Sequence, residues 1–307
     1  MFRYLIPFML LGGAARADVP KVVTDIAPVY ALVSQVMEGV GTPDIVVPRG
    51  ASPHHYAMRP SQARALSGAE VVVWVGHGLT PWLEEPIESL AQKAKVVELM
   101  DVEGVHLLPF REGALFESGG HDHEHEHEHG EEEEGVVADP HVWLDPDNGI
   151  IFLNAIAAEL ALLDPENADV YAANARAGIA DITALDREID AQLADVRGIP
   201  FVVLHDGFHY FEDHFAIEAI AAIAASDAQT PGGARVRDLR DDLKDRAPRC
   251  AFSEPQVGTA LVKTVTEGVD VKIGILDPVG SQHPLDAALY TALLRSMADA
   301  FVTCLRP

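Results

Sequence analysis

The hydrophobic pattern alternates between short apolar runs and longer segments of helical spacing, in two separate blocks. The short runs predict buried strands at residues 22–24, 45–47, 71–75 and 96–99, then at 201–204, 219–223, 251–252 and 271–276. The segments between them predict helices at residues 28–38, 60–66 and 82–93, then at 208–214, 234–245, 259–267 and 285–304. Alternation of this kind indicates parallel strands joined by crossover helices. We therefore predict two α/β lobes, each built on a parallel sheet.

A single long helix is predicted between the two blocks. Apolar residues recur there at spacings of three and four, at Ile182, Leu185, Ile189, Leu193 and Val196, which is typical of an amphipathic helix. Asp164 is a candidate N-cap, and Pro165 suits the first helical position. A helix over 165–195 would be about 45 Å long at 1.5 Å per residue. We predict a rigid linker helix (164–197) between an N-terminal lobe (18–163) and a C-terminal lobe (198–307).

The first 17 residues predict a secretory signal peptide. Arg3 precedes a short apolar run, and Ala15-Arg16-Ala17 fits the small-x-small cleavage pattern, so cleavage is expected after Ala17. A buried N-terminal strand is the alternative. No later run reaches the roughly 18 uninterrupted apolar residues that a membrane helix needs. We expect an exported and soluble mature protein.

The net charge excludes some classes of binding partner, and the two cysteines predict either a disulfide or a metal site. The chain has 48 acidic and 22 basic residues, for a formal net charge of −26, which argues against general electrostatic binding to nucleic acid or anionic membranes. Cys250 and Cys304 are the two cysteines. In an oxidising compartment they predict a disulfide. Thiolate metal ligation is the alternative, although neither residue lies in a C-x-x-C spacing.

One low-complexity segment interrupts the first block. Five histidines alternate with acidic residues, at His121, His123, His125, His127 and His129, and four glutamates follow at 131–134. This composition is too polar to form a packed core, and glycines flank it. We predict a disordered loop over 117–137 that binds additional metal ions weakly.

Histidines also occur in two short motifs of the first block. The first motif follows a predicted strand, at the edge where open α/β sheets hold ligands. His54 and His55 lie in Gly50-Ala-Ser-Pro-His-His-Tyr56, after the second strand. His141 lies in Asp139-Pro-His-Val-Trp-Leu-Asp-Pro146, where the first proline favours an extended, preorganised segment. A solvated loop is the alternative for the first motif, and the entry to a helix starting at Asp145-Pro146 is the alternative for the second.

The second block contributes His205, at the end of its first strand, and Asp277, at the end of its last strand, in Asp277-Pro-Val-Gly280. An ordinary strand end is the alternative for Asp277. His209 and His214 follow His205 closely, and we expect both to be packed or surface side chains rather than ligands.

Together with Arg59-Pro-Ser61 and the histidine-rich segment, these motifs resemble the zinc-binding subunits of bacterial metal-uptake ABC transporters, the cluster A-I (cluster 9) solute-binding proteins. The resemblance covers essentially the whole mature chain. It implies two α/β lobes bridged by a long helix, capture of zinc in the periplasm, and delivery to an ABC transporter permease by a monomer. It implies metal ligands at His54, His141, His205 and Asp277, and a Cys250–Cys304 disulfide. His55 leaves open whether only one of the two adjacent histidines binds.

Three imidazoles and one carboxylate form a donor set that suits tetrahedral zinc. Manganese-type members of the family tend to have Glu where this chain has His205, so the resemblance favours zinc over the manganese or iron alternative. A zinc hydrolase is an alternative of another class. The sequence lacks the H-E-x-x-H spacing and an activated nucleophile motif, so we predict a binding protein and not an enzyme. A zinc buffer acting through the histidine-rich segment is a further alternative.

Overall fold

The computed structural model describes residues 19–111, 115–116, 138–224 and 231–306, and it divides their strands between two parallel sheets. The first sheet contains β1 (Val22–Thr24), β2 (Asp44–Ile45), β3 (Val71–Trp74) and β4 (Lys95–Glu98). The second contains β5 (Phe201–His205), β6 (Ala219–Ala224), β7 (Cys250–Ser253) and β8 (Lys272–Ile275). The strand orders β2-β1-β3-β4 and β6-β5-β7-β8 are equivalent, so the lobes share one topology. The predicted fold class is confirmed. The predicted signal peptide and the histidine-rich segment lie outside the described residues.

Nine α-helices occur in the described part of the chain: α1 (Ala27–Val36), α2 (Pro60–Ser67), α3 (Pro81–Leu90), α4 (Pro146–Leu163), α5 (Ala168–Leu193), α6 (His209–Phe215), α7 (Gly233–Arg246), α8 (Ala260–Val265) and α9 (Leu289–Leu305). Every helix expected from the hydrophobic pattern is present with shifted ends. Helix α4 was foreseen only as the alternative interpretation of Asp145-Pro146.

Helix α5 occupies the position of the predicted linker. It spans 26 residues, about 39 Å at 1.5 Å per residue, and short 3₁₀ turns flank it on both sides. Its apolar face is buried along most of its length. At Gly178, a Cβ atom would lie 2.9 Å from Gln35 Cγ and 3.0 Å from Leu153 Cδ1. Glycine therefore lets α1 and α4 approach α5 closely at its middle.

Helix α4 lies against α5 and α1, so a second long helix, from the N-terminal lobe, packs beside the linker helix. Asp145 caps α4 by accepting a hydrogen bond from the Asp147 N–H at 2.8 Å, and Pro146 is its first residue. Among the described residues, α4 is the one helix long and apolar enough to cross a membrane by length and composition alone. Its buried residues, which include Phe152, Leu153 and Ile156, pack in the core of this fold.

The two lobes share one hydrophobic core. Helices α1, α4, α5 and α9 contact one another, and a single cluster of buried residues extends from Val22 in β1 to Leu305 in α9. Each lobe also has a smaller hydrophobic cluster of its own. These clusters contain the strand residues that alternate with those of the main core. The Cys250–Cys304 disulfide joins β7 to α9, with the Cα atoms 6.1 Å apart. This disulfide confirms the expected pairing.

A second connection crosses from the first lobe to the second. We call it the strap, residues 105–111 and 115–116. The Leu108 N–H donates to Tyr210 Oη at 2.9 Å, and the Arg111 guanidinium donates to Asp206 and Glu212. The Phe116 N–H then donates to the Ile220 carbonyl at 2.9 Å, beside the outer strand of the second sheet. The strap therefore attaches the first lobe to the second independently of α5.

Candidate metal centre

Three histidines from distant parts of the chain converge between the lobes. His54 lies in the loop after β2, His141 precedes the 3₁₀ turn Val142–Leu144, and His205 is the last residue of β5. One ring nitrogen of each lies within 4.8 Å of the corresponding nitrogens of the other two. His141 and His205 are 3% and 2% exposed, and His54 is partly buried.

A carboxylate lies behind two of the three rings. Asp139 Oδ1 is 2.6 Å from His141 Nδ1 and also accepts a hydrogen bond from the His141 N–H. Glu254 Oε1 is 2.5 Å from His205 Nδ1. Burial raises the pKa of Asp139, but its interactions with His141 outweigh that effect and hold the pKa below its ordinary value. Each carboxylate fixes the Nδ1–H tautomer, so the Nε2 lone pair of each ring is available to a metal ion.

The two available nitrogens face each other. His141 Nε2 and His205 Nε2 are 3.3 Å apart. Two lone pairs at that distance repel each other, so either a proton or a metal ion lies between them. Two nitrogens bound to one tetrahedral zinc ion at about 2.0–2.1 Å are separated by about 3.3 Å. The spacing therefore matches coordination of one ion by both rings.

Contacts from the second lobe fix the segment that carries His141. Trp143 is fully buried, and its Nε1–H donates to the Pro278 carbonyl at 2.7 Å. The Tyr290 hydroxyl on α9 donates to the Trp143 carbonyl at 2.8 Å. Both contacts join a first-lobe segment to second-lobe elements, so the position of His141 depends on the packing of the lobes against each other.

A glycine makes room for the His205 ring. A Cβ atom added at Gly207 would collide with His205 Nε2, the atom that faces His141. The Gly207 N–H also donates to the His205 carbonyl at 2.9 Å. The turn after β5 therefore requires glycine at position 207, because any side chain there would occupy the space of the His205 ring.

The three rings enclose a cavity of about 10 Å³, enough for one water molecule or ion. Its lining includes prolines and apolar side chains beside the histidines, with residues Pro53, His54, His141, Trp143, His205, Glu254, Gln256, Pro278 and Val279. This size suits a single atom and excludes an organic molecule from the space between the rings.

The other candidates from the sequence lie outside this group of three histidines. Asp277 Oδ2 accepts hydrogen bonds from Ser281 Oγ at 2.8 Å and from the Gln282 N–H at 3.1 Å. Asp277 Oδ1 is buried with no hydrogen-bond partner in the described part of the chain. His55 is exposed. Cys250 and Cys304 are bonded to each other, so they are not thiolate ligands.

Sequence reasoning missed the role of Glu254. Glu254 directly follows β7, so it lies at the same sheet edge that places His205 and Asp277. Open α/β sheets hold ligands at the carboxyl ends of their strands. This strand-end rule, applied to the predicted strand at 251–252, could have identified Glu254.

Both a family model and individual relatives match the sequence over nearly its whole length. The sequence matches the family described as ZnuA, zinc-uptake complex component A, periplasmic, over residues 22–304. A high-affinity zinc uptake system protein ZnuA from Paracoccus denitrificans (strain Pd 1222) is 42% identical, with 96% of this chain and 95% of that protein covered. The protein of the same name from Brucella abortus (strain 2308) is 39% identical, with coverage of 96% and 94%.

Solved structures show the same fold. A crystal structure of ZnuA superposes with a TM-score of 0.78 at 24% identity, covering 94% of this chain and all of that one. A structure of the solute-binding protein FpvC from Pseudomonas aeruginosa, in complex with Mn²⁺, gives a TM-score of 0.76 at 24% identity, with coverage of 93% and 98%. From the extent of the sequence match, this chain belongs to the ZnuA family of periplasmic zinc-uptake components, which are solute-binding proteins.

Proposed function

We propose that this protein captures zinc at His54, His141 and His205 and delivers it to a membrane permease of an ABC transporter. The observation that supports this most directly is the 3.3 Å separation of two Nε2 atoms whose rings are oriented by carboxylates. The zinc uptake named for the relatives points to the same cargo. The ion is a transported substrate in this proposal, held without chemical change.

Donor type and charge both favour zinc at this centre. Three imidazole nitrogens form a borderline-soft donor set, whereas manganese prefers oxygen ligands. Asp139 and Glu254 bring two negative charges behind the rings. These charges lower the cost of burying a divalent cation in the cavity.

We propose Asp277 as the fourth ligand once zinc is bound. It belongs to the loop whose next two residues, Pro278 and Val279, line the cavity. Its unpartnered Oδ1 is available for a new interaction, although the residue lies outside the three-histidine group. A smaller effect is expected from its removal than from removal of a histidine, because water can replace one carboxylate oxygen.

The hydrolase alternative requires a substrate beside the metal. A cavity of about 10 Å³ leaves no room for one, which supports a binding role without catalysis. We further propose that the protein acts as a monomer in the periplasm after removal of residues 1–17, and that it has an N-terminal lobe (18–163), a linker region (164–197) and a C-terminal lobe (198–307).

The ligand assignment is tested by competition for zinc with a chelator strong enough to remove weakly held ions. We expect His54→Gln, His141→Gln and His205→Gln each to lose at least about 100-fold in affinity. His55→Gln is the matched control, since His55 is adjacent to His54 but exposed, and its affinity should be unchanged. Wild-type affinity in His205→Gln would contradict the assignment.

The histidine-rich segment is assigned a separate role. We propose that His121, His123, His125, His127 and His129 hold additional ions weakly. Deletion of residues 117–137 should lower the number of weakly bound zinc ions and leave the tight site unchanged. Loss of the tight site on deletion would show instead that the segment supplies a primary ligand.

A further inference from the structure

A second group of histidines and carboxylates lies between the lobes. Asp145 and Asp147 lie at the start of α4, and His214 lies on α6 of the second lobe. One ligand atom from each lies within 4.8 Å of the others. His106, in the strap, places its Nδ1 3.2 Å from Asp145 Oδ2, while His214 Nδ1 is 3.0 Å from Asp145 Oδ1. Two imidazoles therefore face one carboxylate from opposite lobes.

His214 has the same kind of support as the histidines of the first centre. Its Nε2 lies 2.7 Å from Asp186 Oδ1 on α5. A carboxylate on one ring nitrogen leaves the other nitrogen directed at the group, which is how metal-binding histidines are held in proteins. The distances place His214 Nδ1 as that second nitrogen, beside Asp145.

The position of His106 is fixed by its own backbone. Its N–H donates to Asn148 Oδ1 at 2.7 Å, and its carbonyl accepts a hydrogen bond from Asn148 Nδ2 at 2.9 Å. Asn148 is fully buried, and the Asp145 side chain is 4% exposed. The base of the group is therefore built into the core.

The upper side of the group is open. It lines a surface groove of about 660 Å³, together with Asp213 and Asn148, and the His106 side chain is 48% exposed. A hydrated ion can reach it from solvent, in contrast to the enclosed cavity of the first centre. Asp145 and Asp147 supply two negative charges that match a divalent cation and offset the positive end of the α4 dipole.

His214 pairs with a carboxylate at each of its ring nitrogens. Burial lowers the pKa of His214, but hydrogen bonds to Asp145 and Asp186 outweigh that effect and raise the pKa to about 9. At neutral pH the ring donates from both nitrogens. A metal ion would displace the proton between Nδ1 and Asp145 and leave the Nε2–H bond to Asp186 in place.

We propose that Asp145, Asp147 and His214 form a second site for a divalent transition-metal cation, with ligands from both lobes and with His106 hydrogen-bonded to the outer oxygen of Asp145. An imidazole nitrogen beside two carboxylates suits zinc or cobalt better than calcium or magnesium. The site is separate from the transported ion, because none of its ligands belongs to the three-histidine group.

The experiment uses the full-length mature chain with ¹⁵N-labelled histidine and zinc as the probe. The first equivalent fills the tight centre, and further zinc is added while long-range ¹H–¹⁵N spectra of the imidazoles are recorded. We expect the His214 Nδ1 signal to change to that of a metal-bound nitrogen, while Nε2 keeps its hydrogen bond to Asp186. The His214 signal is assigned by its absence in His214→Gln.

Two variants test whether the response comes from this site. Asp186→Asn keeps a hydrogen-bond acceptor behind His214 but removes its charge, and we expect about 10- to 100-fold weaker binding. Asp147→Asn removes an exposed ligand and should weaken binding at least as much. His77→Gln is the control, since His77 pairs with one exposed carboxylate, Glu84, at 2.6 Å.

The proposal is overturned if the His214 Nδ1 signal is unchanged while zinc saturates the rest of the chain. It is also overturned if both Asp variants respond to zinc as the wild type does. In either case the group is only a charged contact between the lobes.

Discussion

His205 Nδ1 and Glu254 Oε1 lie 2.5 Å apart, at the ends of the adjacent strands β5 and β7. The pair determines which nitrogen of His205 is available to a metal ion. Both residues are about 98% buried, so water does not replace this contact. The neighbouring strands thus provide a ligand and the group that orients it.

Replacing Glu254 with Gln should weaken zinc binding by about 10- to 100-fold. The amide oxygen can still accept the Nδ1–H bond, but the negative charge that increases the basicity of the ring is lost. Chelator competition measures the change. Glu84→Gln, which alters the exposed partner of His77, is the control. Equal affinities for Glu254→Gln and wild type would show that the carboxylate has no effect on the ligand.

Arg111 should be a major contributor to stability. Its guanidinium pairs with Asp206 and Glu212, which are 8% and 2% exposed, and it lies 4.0 Å from the centre of the Phe116 ring. Arg111→Met leaves two buried carboxylates without their cation, so the free energy of unfolding should fall by about 3–5 kcal/mol. Urea denaturation measures this change.

The control for Arg111 is Lys244→Met, which removes an exposed ion pair with Asp241 on α7. Its effect should stay within about 0.5 kcal/mol. Similar changes in the two variants would contradict a structural role for the strap.

The disulfide should stabilise the fold without affecting zinc binding. It links residues 54 positions apart, for which the chain-entropy model gives about 4 kcal/mol. The double variant Cys250→Ala with Cys304→Ala should lose roughly that amount in urea denaturation. Its zinc affinity should equal that of wild type, because neither sulfur belongs to the three-histidine group. A large loss of affinity in the folded double variant would contradict this separation.

Asp25 should make stability depend on pH. It is fully buried after β1 and accepts hydrogen bonds from the Ile26 and Val75 N–H groups at 2.8 Å. Burial raises its pKa to about 7 from 3.8, against the lowering effect of those bonds. When an acid has a higher pKa in the folded protein than in the unfolded chain, its ionisation does not change the free energy of unfolding at a pH below the unfolded-state pKa. As the pH rises above that pKa, the free energy of unfolding falls. The loss is complete once the pH is above the folded-state pKa.

Relative to Asp25→Asn, the wild type should therefore lose at most about 4 kcal/mol of unfolding free energy between pH 4 and pH 8. Urea denaturation in the presence of a chelator gives the two curves. Parallel curves over this range would mean that Asp25 has an ordinary pKa in the folded protein.

The sequence allowed most of the fold to be predicted, because central strands and helices with one polar face have clear periodicities. Helix α4 was the exception. It contacts both α1 and α5, and its segment Ile150-Ile151-Phe152-Leu153 is apolar without interruption. A helix covered on several sides lacks the polar stripe that makes the 3.6-residue period visible.

Sheet order explains which parts of the centre could be predicted. His205 ends a central strand, where the strand-end rule predicts a ligand, and the family resemblance grouped it with His54 and His141. Asp277 follows β8, which is separated from β5 by β7. Glu254 follows β7 and so lies next to His205 instead. The order of strands within a sheet is set by tertiary packing, which the local pattern of residues does not encode.

The last helix of the chain restricts the order in which the chain can fold. Helix α9 packs against α1, and its Tyr290 hydroxyl donates a hydrogen bond to the Trp143 carbonyl. The first lobe is made first, yet its helix α1 is covered by the last helix of the chain. Until residues 289–305 are available, α1 and the His141 segment lack part of their packing. The nascent N-terminal half should therefore remain incompletely folded and depend on holding factors, and completion of the whole polypeptide should form both the core and the metal centre in one cooperative step.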